Sequence, residues 1–131
     1  MSWTTIGTQI DLANGNLKVN KHIILGPQTR LPEFVMQGKG CLRLTIANLS
    51  FRTYEILENG LSFLICFDDE RIISASIAIA SPSGGDAIEE IKELAQDIGA
   101  IPGDYRWGKI RIDDASREPM PSIVIKYEKG E

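Results

Sequence analysis

The sequence predicts an α+β protein: a single antiparallel sheet of roughly seven to nine strands with two helices packed on one face. Three observations carry that prediction. An Asn14-Gly15 pair lies between two short alternating runs, residues 41 to 80 repeat apolar side chains with period two, and residues 86 to 98 repeat them with helical period. At 131 residues, with 43% apolar and 24% charged side chains, the chain has the size and composition of one globular domain spanning 1 to 131.

The first element is the hairpin in "QIDLANGNLKVN". Asn and Gly tolerate the positive φ angles of a two-residue type I′ turn. That turn sets Leu12 against Leu17, Ile10 against Val19 and Asp11 against Lys18, so one face is aliphatic and the other carries an opposite-charge pair. "HIILGP" then continues as a short extended segment. After it Thr29 can cap a brief helix whose apolar face is Leu31, Phe34 and Val35; Pro32 is tolerable in the first turn, and Gly38 and Gly40 end the element.

Between residues 41 and 80 four strands follow one another through short connections, which predicts an antiparallel meander. Leu42, Leu44 and Ile46 alternate with Arg43 and Thr45 in the first, and residues 51 to 57 form the second. A turn at Glu58-Asn59-Gly60 leads to a third strand with Leu61, Phe63, Ile65 and Phe67 on one face. Beyond the acidic turn Asp68-Asp69-Glu70, the fourth places Ile73, Ala75, Ile77 and Ile79 on one face and small residues on the other.

The second helix has Asp86 and Glu89 at capping-box spacing and Gly99 where a left-handed C-terminal cap is expected. At about 100° per residue, Ile88, Ile91, Leu94, Ala95 and Ile98 share an arc of about 120°. Asp86, Glu89, Glu90, Glu93 and Asp97 fill the opposite side. The chain closes with "YRWGKIRIDDASREPMPSIVIKYE". Tyr105 and Trp107 have the opposite parity to Ile110 and Ile112, so an irregularity or bulge at Gly108 is needed to bring both sets to one side, with Trp107 buried. Ile123, Ile125 and Tyr127 supply the partner strand, and the loop between carries Asp113, Asp114, Pro119 and Pro121.

Composition and motifs exclude several functions. The net charge is −4 and no basic stripe occurs, which argues against a nucleic-acid partner. No apolar run approaches the ~20 residues that span a bilayer, and residues 1 to 20 lack the pattern of a secretory leader, so a cytoplasmic location without membrane contact is expected. Cys41 and Cys66 read as small buried hydrophobes in a reducing compartment. His22 is the sole histidine and the acidic turns lack the ligand spacing of a calcium loop, so no metal is expected. "SPSGGD" precedes a helix but lacks the Gly-Lys-Ser/Thr ending of a phosphate loop, and Asp86 would occupy the anion position itself. With no nucleophile elbow and no signature around either cysteine, the sequence predicts no catalytic residue, no cofactor and no enzyme.

Two binding readings remain. The acidic face of the second helix holds five carboxylates and only Lys92 between residues 86 and 97, which suits a protein partner with a basic surface. The alternative is a small-molecule pocket between sheet and helices, lined by Phe63, Tyr105 and Trp107. A capped helix ending in Gly99, an aromatic linker, "WGKIRIDD", a loop and "IVIKY" together resemble the C-terminal half of small bacterial α+β proteins of the toxin-immunity type. The resemblance covers residues 86 to 127. It implies a cytoplasmic immunity protein that binds and neutralises a toxin domain without chemistry of its own.

Overall fold

The computed structural model describes residues 7–80, 87–113 and 121–128. Among these residues ten strands and two helices run in the order β1 (Gln9–Asp11), β2 (Asn16–Lys18), β3 (Ile24–Leu25), α1 (Leu31–Gln37), β4 (Arg43–Asn48), β5 (Phe51–Glu58), β6 (Leu61–Asp68), β7 (Arg71–Ile79), α2 (Ala87–Ile98), β8 (Gly103–Tyr105), β9 (Gly108–Asp113) and β10 (Ser122–Tyr127). The α+β class and antiparallel pairing are as the sequence predicts, but there are two sheets, not one. β1-β2-β3 form a small sheet, and the large sheet has the order β4-β5-β6-β7-β10-β9-β8. The physical reason is length. Strands of three, three and two residues bury only Ile10, Leu17 and Leu25, and they do so by lying over the core instead of extending the large sheet's edge.

The meander β4 to β7 forms as expected, and Leu61, Phe63, Ile65 and Phe67 are all fully buried. Where β6 pairs with β7 the register shifts between Cys66 and Phe67, so Phe67 pairs with Ile72 while Cys66 pairs with Ser74. Ile72 therefore takes the core position that the sequence assigns to Ile73, beside Ala75, Ile77 and Ile79. Ile123, Ile125 and Ile110 extend this apolar face across β10 and β9. Over it lie the buried stripe of α2 (Ile91, Leu94, Ala95, Ile98), the small sheet, and Phe34 of α1.

Several local details differ from expectation. The first hairpin pairs Ile10 with Leu17, Asp11 with Asn16 and Gln9 with Lys18, two residues away from the two-residue-turn register. The longer turn is held by side chains: Asp11 accepts from the Ala13 N–H at 2.9 Å, and Asn14 Oδ1 accepts from the Asn16 N–H at 2.9 Å. A shift of two preserves parity, so Ile10, Leu17 and Val19 still face the core. Within this turn Gly15 takes a positive φ, +78°, and Asn14 does not. Thr29 does not cap α1; Arg30 holds that position, and the Thr29 hydroxyl accepts from the Gly26 N–H at 2.8 Å. Val35 is exposed, which leaves Phe34 as the anchor of this helix, packed at 5.2 Å from the Phe67 ring and 5.6 Å from that of Tyr54. β4 is an edge strand with all six residues exposed, and a bulge at Thr45 sends Leu44 and Ile46 to opposite faces.

Gly99 closes α2 as predicted, with φ +83° and the Ala100 N–H donating to the Ala95 carbonyl at 2.8 Å. The capping-box partner Asp86 and the loop residues Asp114 and Pro119 lie outside the described residues. At the hairpin of β8 and β9 no strand bulge is needed. Tyr105 pairs with Gly108, so Arg106 and Trp107 form a two-residue turn that itself brings Tyr105 to the side of Ile110 and Ile112. Trp107 is buried, as the sequence predicts.

Candidate docking surfaces

The acidic helix is positioned by its apolar half. Because Ile91, Leu94, Ala95 and Ile98 are buried, the opposite arc turns outward: Glu89 and Glu93 are exposed, and Glu90 and Asp97 are half-buried. Lys92 reaches Glu89 at 3.7 Å, and both side chains remain more than half exposed. Four carboxylates against one ammonium leave this helix three negative charges over residues 87 to 98. The fifth candidate, Asp86, lies outside the described residues.

The three aromatics proposed to line a pocket sit in two places. Phe63 is fully buried on the core side of β6, opposite Ile56 and Ile77. Trp107 stacks on Tyr105 with centroids 5.1 Å apart and planes 5° from parallel, and its other neighbour is Tyr127 at 5.7 Å. Its indole N–H donates to the Leu12 carbonyl at 2.8 Å, and the Tyr127 hydroxyl donates to the Gly15 carbonyl at 2.9 Å. These rings join the small sheet to the large one.

Burial raises the Tyr127 phenol well above its usual range. A phenol that stays protonated in the fold but ionises in the unfolded chain contributes stability below pH about 10 that is lost progressively as pH rises further. Wild type is therefore expected to lose up to about 1.4 kcal/mol per pH unit above pH 10 from this group. Tyr127→Phe should flatten that limb in denaturant titrations at pH 9 to 11.5; an unchanged alkaline slope would show that another group controls it.

The remaining candidates are engaged in local structure. Asp68 accepts from the Ser50 hydroxyl at 2.6 Å and Glu70 pairs with Arg30 at 2.6 Å, so the acidic turn ties β5 and α1 to the β6-β7 connection. Among the described residues no three His, Cys, Asp or Glu side chains cluster as metal ligands would. His22 is exposed. Contrary to expectation Cys41 is exposed too, and Cys66 is half-buried with its sulfur 3.2 Å from the Thr53 hydroxyl. Both fall outside the core because one precedes the edge strand and the other sits on the outer side of β6.

That outer side is the surface the sequence leaves unread. On the face of the large sheet opposite the helices, a trough of about 610 Å³ runs over β5, β6, β7, β10 and β9. Leu57, Leu64 and Val124 wall it, and Ser76 and Ala78 form part of its floor. Glu55 stands at one end, where it accepts from Ser62 at 3.3 Å, and Arg111 and Asp113 stand at the other. None of Phe63, Tyr105 and Trp107 lines it. The signal was present in β7, where Ser74, Ser76 and Ala78 alternate with the core residues, but small side chains mark an open face only once no described residue is seen to cover it.

No helix among the described residues is long and apolar enough to cross a membrane. Compared with family models, with curated proteins and with solved structures, the chain matches none.

Proposed function

We propose that this chain is a non-enzymatic protein-binding module of the toxin-immunity type, which docks a basic partner surface, such as that of a toxin domain, on the outer face of α2. The observation that supports the reading is the arrangement of α2: its apolar stripe is locked into the core, so Glu89 and Glu93 are held outward on a rigid element while Glu90 and Asp97 flank them. Charges fixed in this way steer association and select a partner of opposite sign more than they add raw affinity.

The test is association with the product of the adjacent gene, for wild type and for the triple variant Glu89→Lys, Glu93→Lys, Asp97→Lys, at low and high salt. The variant is expected to keep its fold and to associate at least about tenfold more slowly. The wild-type rate should itself fall as the Debye length shrinks from about 10 Å at 0.1 M salt to about 3 Å at 1 M. Equal rates in all four conditions would remove α2 as the docking face.

A further inference from the structure

The face of the large sheet opposite the helices, which no helix or strand among the described residues covers, joins two features that the docking of α2 does not use. The first is the trough. Its volume of about 610 Å³ lies inside the range of small-molecule sites, about 300 to 1,000 Å³. Ser76 and Ala78 leave room that larger side chains would fill, and Leu57 and Leu64 expose their aliphatic groups to it. From β5 to β9 it crosses four strand spacings of about 4.8 Å, roughly 19 Å in all. That length suits an extended chain better than a compact ring.

The second feature is a group of cations at the β9 end. Lys109 stands directly opposite Lys126, and Arg111, two residues along the same face, stands opposite Val124 at the trough's edge. All three are exposed, and no ion pair within 4.0 Å engages any of them among the described residues. Asp104 lies opposite Lys109 on β8, and Asp113 follows Arg111 by two residues, so the surrounding charge is mixed. Like charges set directly across a strand pair oppose the pairing, and a bound anion would relieve them. Three cations beside an apolar channel, in a chain of net charge −4, select an amphipathic anion over a polyanion.

We infer that the open face binds a long-chain aliphatic carboxylate, with the alkyl chain along the trough and the carboxylate on Arg111. The guanidinium can hold a carboxylate through two parallel N–H···O bonds, and Lys109 and Lys126 add to the local positive potential. This site is on the opposite side of the sheet from α2, so it stands or falls independently of the docking proposal.

The test is calorimetric titration of the full chain with dodecanoate below its micelle concentration, with dodecyltrimethylammonium as the opposite-charge arm. Saturable one-to-one binding of dodecanoate is expected, at least about tenfold tighter than that of the cationic amphiphile. Arg111→Glu with Lys126→Glu should weaken it at least about tenfold, as should Ala78→Trp, which fills the floor, while the α2 triple variant should bind as wild type does. Circular dichroism confirms that each variant keeps its fold; because two variants act through different chemistry, failure of one to fold leaves the other decisive. Absence of saturable binding, equal affinity for both amphiphiles, or equal affinity of a folded variant would each overturn the inference. So would loss of association with a protein partner on filling the trough when dodecanoate does not bind, an outcome that assigns the face to that partner.

Discussion

Trp107→Ala is expected to destabilise the protein by about 3 to 5 kcal/mol, the range for truncating a buried large aromatic. Three contacts are lost together. The cavity left beneath the 12–15 turn removes the stacking on Tyr105 and the contact with Tyr127, and the Leu12 carbonyl loses the indole N–H that it accepts at 2.8 Å. Because the hydrogen bond to Leu12 ties the small sheet to the large one and the two ring contacts brace β8 against β10, the loss should appear as a fall of about 10 °C or more in Tm with no change in secondary structure at 20 °C. Trp107→Phe separates the parts: a ring remains to pack, and the cost should drop to about 1 to 2 kcal/mol for the hydrogen bond and the smaller area. A Trp107→Ala protein as stable as wild type would show that the ring does not hold the sheets together.

Gly108→Ala is the second large effect, expected at about 3 kcal/mol or more. Gly108 pairs with Tyr127 at the start of β9 with φ +152°, and a Cβ built there would run into the carbonyl oxygen of Lys126, a backbone atom that cannot swing aside. The side chain can be admitted only by opening the β9-β10 ladder where Tyr127 and Trp107 meet. The variant should show the same Tm loss as Trp107→Ala, and the two together should be less than additive, since both release the same junction. A full sum in the double variant would mean that the two residues stabilise the fold independently.

The legible part of this protein is its period. Leu61, Phe63, Ile65 and Phe67 alternate and are all buried; Ile91, Leu94, Ala95 and Ile98 recur at helical spacing and are buried too. Gly99 ends α2 where a positive φ was needed. The hairpin of β1 and β2 was legible in existence and facing but not in register, because the side chains of Asp11 and Asn14 stabilise a wider turn than Asn-Gly alone would form. Ile72 rather than Ile73 enters the core because β7 carries one extra residue opposite the Cys66–Phe67 step, which pairs Phe67 with Ile72, and such a shift leaves no mark in the alternation of the sequence.

The candidate site was legible in one half. The five carboxylates of the second helix can be placed on one arc by counting at about 100° per residue, and the four that are described do turn outward. The trough and its cations could not be found that way. Lys109, Arg111 and Lys126 come from two strands, and their adjacency depends on the pairing of β9 with β10.

The sequence by itself therefore determined the kind of each element and which of its faces is apolar, since these follow from spacing within a dozen residues and from turn chemistry at single positions. Only the tertiary structure decided which faces are covered. The small sheet could have extended the large one; it lies across it instead, fixed by bonds from Trp107 to Leu12 and from Tyr127 to Gly15, pairs separated by 95 and 112 residues. Contacts at that separation leave no periodic trace in the chain. Nor does the consequence on the far side of the sheet, where the same alternation that fills the core leaves Ser76, Ala78, Leu64 and Arg111 facing an open trough.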